Sequence, residues 1–76
     1  MTLLEMISKI YKDKLVQLRF PIYKDGEVLC YKEIETGIVE CVFETTNECN
    51  NIITWFKLQG IGDFDITSLD ILTIKD

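Results

Sequence analysis

The sequence contains no histidine, the side chain that most often serves as a catalytic base or a metal ligand. Without it, one chain cannot build a histidine-assisted serine or cysteine nucleophile. The three cysteines form no Cys-x-x-Cys pair, and their odd number indicates neither a disulfide framework nor a zinc site. We therefore predict a protein that is not an enzyme and that uses no cofactor and no metal.

Long apolar runs are also missing. No stretch approaches the roughly 20 apolar residues that cross a bilayer, and the first residues lack the basic region of a signal peptide. The sequence thus predicts a cytoplasmic protein of a bacterial cell without a membrane partner. Alanine is absent while isoleucine and lysine are abundant, which is typical of an AT-rich coding source such as a low-GC bacterium or one of its phages.

Basic residues are few. Eight lysines and arginines are scattered among thirteen acids, and the net charge is −5. Proteins that bind nucleic acid through its phosphates need clustered positive charge, so a nucleic-acid partner is disfavoured. With 76 residues, the chain has room for one domain, residues 1–76, whose core is small enough for oligomerisation to help stabilise it.

The N-terminal segment has the pattern of an amphipathic helix over residues 2–13. Thr2 and Glu5 have the spacing of a capping box, which places the helix start at Thr2. The apolar residues of the segment recur at intervals of three and four and should form one stripe that packs on a sheet. This stripe comprises Leu3, Met6, Ile7, Ile10 and Tyr11.

Two alternating segments, 15–23 and 27–35, flank Asp25-Gly26 and are predicted to form a β-hairpin. Asp-Gly suits the type I′ turn, because both of its central residues need a positive φ. With these two residues as the loop, Phe20 would pair with Tyr31 and Ile22 with Leu29, both on the core side.

Gly37 is predicted to bend the chain into a central strand over 38–44. A polar loop over 45–50 would join it to a strand over 52–59, so that Val39 faces Phe56. Residues 60–63 are predicted to form a flexible turn and 64–70 a short helical turn, before a last strand over 71–75.

That pairing assigns Val39, Cys41 and Phe43 to the core and leaves a second apolar face. It turns Phe56 inward and Trp55 outward. A sheet face in contact with solvent should be mostly polar, and this second face is not. We interpret this second face as an interface, because tryptophan is enriched in binding hot spots. The expected occupant is a second copy of the chain or another protein, and the alternative is the N-terminal helix folded across it. Its candidate residues are Ile38, Val42, Ile53 and Trp55, with Glu40, Glu44 and Lys57 at the edges.

The order of elements resembles that of SH3-like small barrels, and the part from Val16 onward resembles the YolD-like bacterial domains. The matching segments are Tyr23-Lys24-Asp25-Gly26, Gly37-x-Val39 and Phe64-x-Ile66-x-x-Leu69-x-Ile71. The resemblance implies a mostly β fold: an N-terminal helix followed by a five-stranded antiparallel small barrel or strongly bent sheet. It implies no catalytic residues. Sm-like RNA-binding barrels share the order of elements but not the glycine and Asp/Asn spacing of their RNA-binding loop.

Two functions remain open at this point, with an Sm-like RNA-binding barrel as a weaker third. The first is a non-catalytic protein-binding module, such as a phage or mobile-element inhibitor of a host protein, with or without self-association. The second is an oligomer that sequesters a nucleotide-like ligand between protomers. The only basic side chains available to such a ligand site are Arg19, Lys24, Lys32 and Lys57.

Overall fold

A single helix precedes five strands in the computed structural model, which describes residues 1–75. The elements are α1 (Leu3–Tyr11), β1 (Leu15–Lys24), β2 (Glu27–Thr46), β3 (Ile52–Leu58), β4 (Gly62–Asp65) and β5 (Asp70–Lys75). All strand pairs are antiparallel, and the sheet order is β4-β3-β2-β1-β5. The edge strands β4 and β5 are not paired with each other, so the predicted fold class is confirmed as a strongly bent sheet and not as a closed barrel.

Helix α1 begins at the predicted capping box. The Thr2 hydroxyl accepts a hydrogen bond from the Glu5 backbone N–H at 3.1 Å, and the Glu5 carboxylate accepts one from the Thr2 backbone N–H at 3.4 Å. Ile7 and Tyr11 pack on the core, with the Tyr11 ring 5.3 Å from that of Phe56. The rest of the predicted stripe is exposed, which corrects the prediction for Leu3, Met6 and Ile10. The helix also ends two residues before the predicted position.

The hairpin between β1 and β2 turns at Asp25 and Gly26, whose φ values of 54° and 80° confirm the predicted turn chemistry. The predicted register is wrong. Leu29 is an extra residue on β2, and Ile34 is a second one further along. The observed pairs on the predicted core side are therefore Phe20 with Lys32 and Ile22 with Cys30.

Strand β2 is continuous over 20 residues, where two strands, 27–35 and 38–44, were predicted. Its first part pairs with β1 and its last part with β3. Gly37 lies between them, and its role as the bend residue stays a prediction. A Cβ atom at this position would lie 2.8 Å from Ile61 Cδ1 and 3.4 Å from Leu58 Cβ, so glycine here allows close approach of the β3–β4 turn.

The segment after β3 differs most from the prediction. Gly62–Asp65, expected to belong to two turns, forms strand β4 on the edge beside β3. A hydrogen-bonded turn then runs from Ile66 to Leu69, whose backbone N–H donates to the Ile66 carbonyl at 3.2 Å. Strand β5 follows and pairs with β1, which brings the end of the described chain beside its first strand.

Five side chains are fully buried, and all of them come from the three central strands: Val16, Leu18, Val39, Phe56 and Leu58. Residues from α1, β4, β5 and the turn before β5 pack around them. Within residues 1–75, no helix is long and apolar enough to cross a membrane.

The β1–β2 hairpin extends beyond this core. β5 pairs with β1 only as far as Arg19, and β3 pairs with β2 only from Val39 onward. Residues 20–34 therefore form a two-stranded projection, which we call the arm, and we call the rest of the chain the body. None of the arm residues is buried.

Candidate functional site

Strand β3 directs two neighbouring aromatic side chains to opposite sides of the sheet. Phe56 is fully buried, while Trp55 is half-buried on the other side, as predicted. The Trp55 ring stacks on Phe43, with ring centroids 6.2 Å apart and planes 6° from parallel. The indole Nε1–H donates a hydrogen bond to the Thr45 hydroxyl at 2.7 Å. Both contacts hold Trp55 in a fixed orientation on the outside of the sheet.

A bulge at Glu40 determines which residues of β2 share the face of Trp55. Val39 pairs with Leu58 and Val42 with Phe56, so two inward-facing residues of β2 are separated by two others instead of one. Cys41 and Phe43 consequently lie outside, although they were predicted in the core. Val42 packs against the core, although it was predicted on the second face.

The resulting surface, which we call the outer face, is an apolar stripe across β2 and β3. It keeps every predicted interface residue except Val42 and Glu44 and adds three that were not predicted there, Cys41, Phe43 and Thr45. Its residues are Ile38, Glu40, Cys41, Phe43, Thr45, Ile53, Trp55 and Lys57. Glu44, predicted at the edge, follows Phe43 on β2 and pairs with Thr54, so alternation places it on the other side.

Acidic side chains border the outer face. The Lys57 ammonium lies 3.2 Å from the Glu40 carboxylate. The hydrogen bond and the attraction of Glu40 raise the pKa of Lys57 above its ordinary value of 10.5, and Asp63 adds to this effect. On the edge strand β4, Asp63 pairs with Lys57 of β3 and Asp65 pairs with Trp55 of β3. The margin thus carries three carboxylates against one ammonium group, a formal net charge of −2.

The four basic residues proposed for a ligand site do not converge within one chain. The Arg19 guanidinium is bound by Asp70, with Nε 3.0 Å from the carboxylate, and lies 3.9 Å over the Tyr31 ring. Lys24 lies at the turn of the arm, Lys32 pairs with Phe20, and Lys57 is on β3. A ligand site between protomers therefore stays a prediction.

The three cysteines are unpaired. Cys30 is exposed on the arm, Cys49 is exposed in the β2–β3 loop, and Cys41 is half-buried. Within residues 1–75, no three Cys, Asp or Glu side chains converge on a position that could hold a metal ion.

The arm is the second exposed apolar surface, and sequence reasoning missed it. Seven of the sixteen exposed large apolar side chains in the described chain lie there, each 41–64% exposed. They are Phe20, Ile22, Tyr23, Val28, Leu29, Tyr31 and Ile34. The signal that could have revealed them is strand length. The predicted strand over 71–75 has five residues, so it cannot pair along the whole of the nine-residue strand predicted over 15–23.

The chain matches no family model, no curated protein and no solved structure. The resemblance to YolD-like domains accordingly stays a prediction.

Proposed function

We propose that the chain is a non-catalytic protein-binding module whose outer face occupies a site on another protein. The observation that carries this proposal is the stack of Phe43 and Trp55 on the outside of the sheet. Rigid aromatic side chains lose little conformational entropy on binding and dominate interface hot spots. The hydrogen bond from Trp55 to Thr45 supports the same role, because it fixes the indole before a partner arrives.

The margin of the outer face defines the chemistry of the partner. Glu40, Asp63 and Asp65 surround an apolar centre, and the whole chain carries a net charge of −5. The complementary surface presents lysine or arginine side chains around an apolar pocket. Basic surfaces of this kind also bind nucleic acid. We infer that the module acts in the bacterial cytoplasm as a stoichiometric inhibitor, encoded by a phage or mobile element, of a host protein with such a surface.

Trp55 provides its own assay, because it is the only tryptophan in the chain. A partner captured from a bacterial lysate should shift the Trp55 emission to shorter wavelength on 1:1 addition. Trp55→Ala should lower the affinity for this partner by about 30-fold or more, the equivalent of a hot-spot loss of about 2 kcal/mol. Affinity is then compared by calorimetry, which does not need the tryptophan.

Two variants serve as controls. Trp55→Phe keeps an aromatic ring against Phe43 and should retain most of the affinity. Tyr23→Ala removes an exposed aromatic ring from the arm and should leave binding unchanged. A partner that binds Trp55→Ala and wild type equally, or that binds without any change in Trp55 emission, would show that the outer face is not its site.

A further inference from the structure

The molecule has more surface than a compact monomer of its size. Its accessible area is 5427 Å², which exceeds by about 600 Å² the value of about 4,800 Å² expected for a folded monomer of this mass. Its radius of gyration is 13.1 Å, against about 11.4 Å for a compact domain of this length. The arm accounts for this shape, because it is the part that projects from the body.

One face of the arm continues the core. Val16, Leu18, Phe20 and Ile22 alternate along β1 and therefore lie on one side of the strand. The first two are fully buried in the body, whereas Phe20 and Ile22 are 47% and 41% exposed. Cys30 pairs with Ile22 and shares this face. The apolar stripe of the core thus extends beyond everything that covers it in one chain.

The opposite face of the arm has a neighbour in the body, although Tyr23 and Tyr31 on this face are still 64% and 44% exposed. Pro21, Tyr23 and Tyr31 line a cleft whose far wall is the turn before β5. Arg19 lies over the Tyr31 ring and is bound by Asp70. The face with Phe20 and Ile22 is the one that continues the apolar stripe of the core, and we call it the open face.

The edges of the arm do not favour the addition of another strand. Pro21 interrupts the free edge of β1, since it has no N–H to donate. The extra residues Leu29 and Ile34 interrupt the free edge of β2. An occupant of the arm therefore has to approach the open face instead of extending the sheet.

The open face needs cover whenever the protein is folded. A two-stranded ribbon is marginally stable in water by itself, and two of the large apolar side chains that this one exposes, Phe20 and Ile22, lie on its open face. A partner that is met only occasionally cannot supply this cover, whereas a second copy of the chain is always present. An excess of about 600 Å² per chain is also close to the roughly 800 Å² that each partner of a stable complex buries.

Charge favours the same occupant. The arm carries one net negative charge and the remainder of the chain carries four, so two acidic copies repel least at their arms. Lys24, Glu27 and Lys32 lie on the open face, and a twofold axis can bring the lysines of one copy to the glutamate of the other. We propose that the open face packs against the open face of a second copy, forming a twofold-symmetric dimer in which the two arms extend the core. This inference does not depend on the proposed function.

The first test measures mass by light scattering coupled to size-exclusion chromatography. The wild type should have twice the chain mass of 8.9 kDa. Ile22→Asp should weaken association by about 30-fold or more. Leu72→Asp is the matched control, because Leu72 is 42% exposed on β5 and lies outside the arm. A monomeric wild type at about 100 μM, or a Leu72→Asp variant as dissociated as Ile22→Asp, would overturn the proposal.

The second test needs no variant and remains decisive if Ile22→Asp fails to fold. Cys30 and Cys49 are both exposed in a single chain, but only Cys30 lies on the open face. Maleimide labelling of Cys30 should slow as the protein concentration rises, while that of Cys49 should not. Equal rates at every concentration would overturn the proposal. So would a dimer that Trp55→Ala dissociates and Ile22→Asp does not, since its interface would be the outer face.

Discussion

Phe56 and Trp55 are neighbours on β3 whose side chains have opposite surroundings, so each can be altered without altering the other. Phe56 is in contact with the core from three sides: β2 through Val42, β4 through Phe64, and α1 through Tyr11. Trp55 has one stacking partner and one hydrogen bond, and its remaining surface faces solvent. The first residue therefore determines stability, and the second is the one that we propose determines what the surface can bind.

Phe56→Ala should destabilise the fold by about 3–5 kcal/mol, because the cavity it leaves is enclosed by fixed strands. For a chain of 76 residues this is most of the available stability, and urea denaturation followed by circular dichroism should find the variant largely unfolded. Phe43→Ala is the control, since it loses an outside stack worth about 0.5–1.5 kcal/mol and only part of its burial. Equal losses for the two variants would contradict the assignment of inside and outside.

The reason for glycine at position 37 can be tested by introducing side chains of increasing size. In Gly37→Ala the new methyl group meets the flexible tip of Ile61, which can move aside, so the loss of stability should stay within about 1 kcal/mol. Gly37→Val adds branches that also press on Leu58 and should destabilise by about 1–3 kcal/mol, as overpacking does. Urea midpoints for both variants decide the matter. If valine is tolerated as well as alanine, close approach is not the reason for this glycine.

Among the elements, the hairpin of β1 and β2 depends most on a single local feature. Gly26 has a φ of 80°, a conformation that costs a residue with a Cβ atom about 1–2 kcal/mol. Gly26→Ala should therefore lower the free energy of unfolding by about that amount. Asp25→Asn is the control, since asparagine tolerates positive φ. Thermal unfolding of the two variants should separate them, and a neutral Gly26→Ala would contradict the turn geometry.

The same hairpin shows which features of the fold a sequence reveals. Turn and cap chemistry depend on residue type, so Asp25-Gly26 and the Thr2–Glu5 capping box were predicted correctly. Register depends on how many residues lie between the paired positions of each strand. The extra residues at Leu29, Ile34 and Glu40 have ordinary side chains, and nothing in their type announces a bulge.

The same limit applies to the candidate site. Trp55 and Ile53 were assigned to the correct side, because β3 has no bulge. Phe43 and Val42 were exchanged, because the bulge at Glu40 precedes them on β2. Strand β4 was missed because Gly60 and Gly62 favour a turn, and only the pairing of Phe64 with Phe56 in the folded chain makes the segment extended.

The whole molecule is acidic, and association of two copies brings two net charges of −5 together. Their repulsion extends over a Debye length, which shortens from about 30 Å at 0.01 M salt to about 8 Å at 0.15 M. Dimerisation should therefore strengthen as salt rises over this range, and the apparent melting temperature should rise with protein concentration. Sedimentation at the two salt concentrations measures the effect. Weakening by salt would indicate an interface dominated by ion pairs instead of the apolar open face.

The bulge at Glu40 determines how the two sides of β2 respond to mutation. Point mutations can change the chemistry of Phe43 or Cys41, but they leave both on the outside, because the side is set by the number of residues after Val39. The in-frame loss of the Glu40 codon would remove the extra residue and restore simple alternation, with Val39 and Val42 still inside and Cys41 and Phe43 still outside. The outer face is thus robust to substitution and to loss of the bulge residue, whereas the in-frame insertion of one codon after Val42 would exchange the two sides of β2 from there to its end.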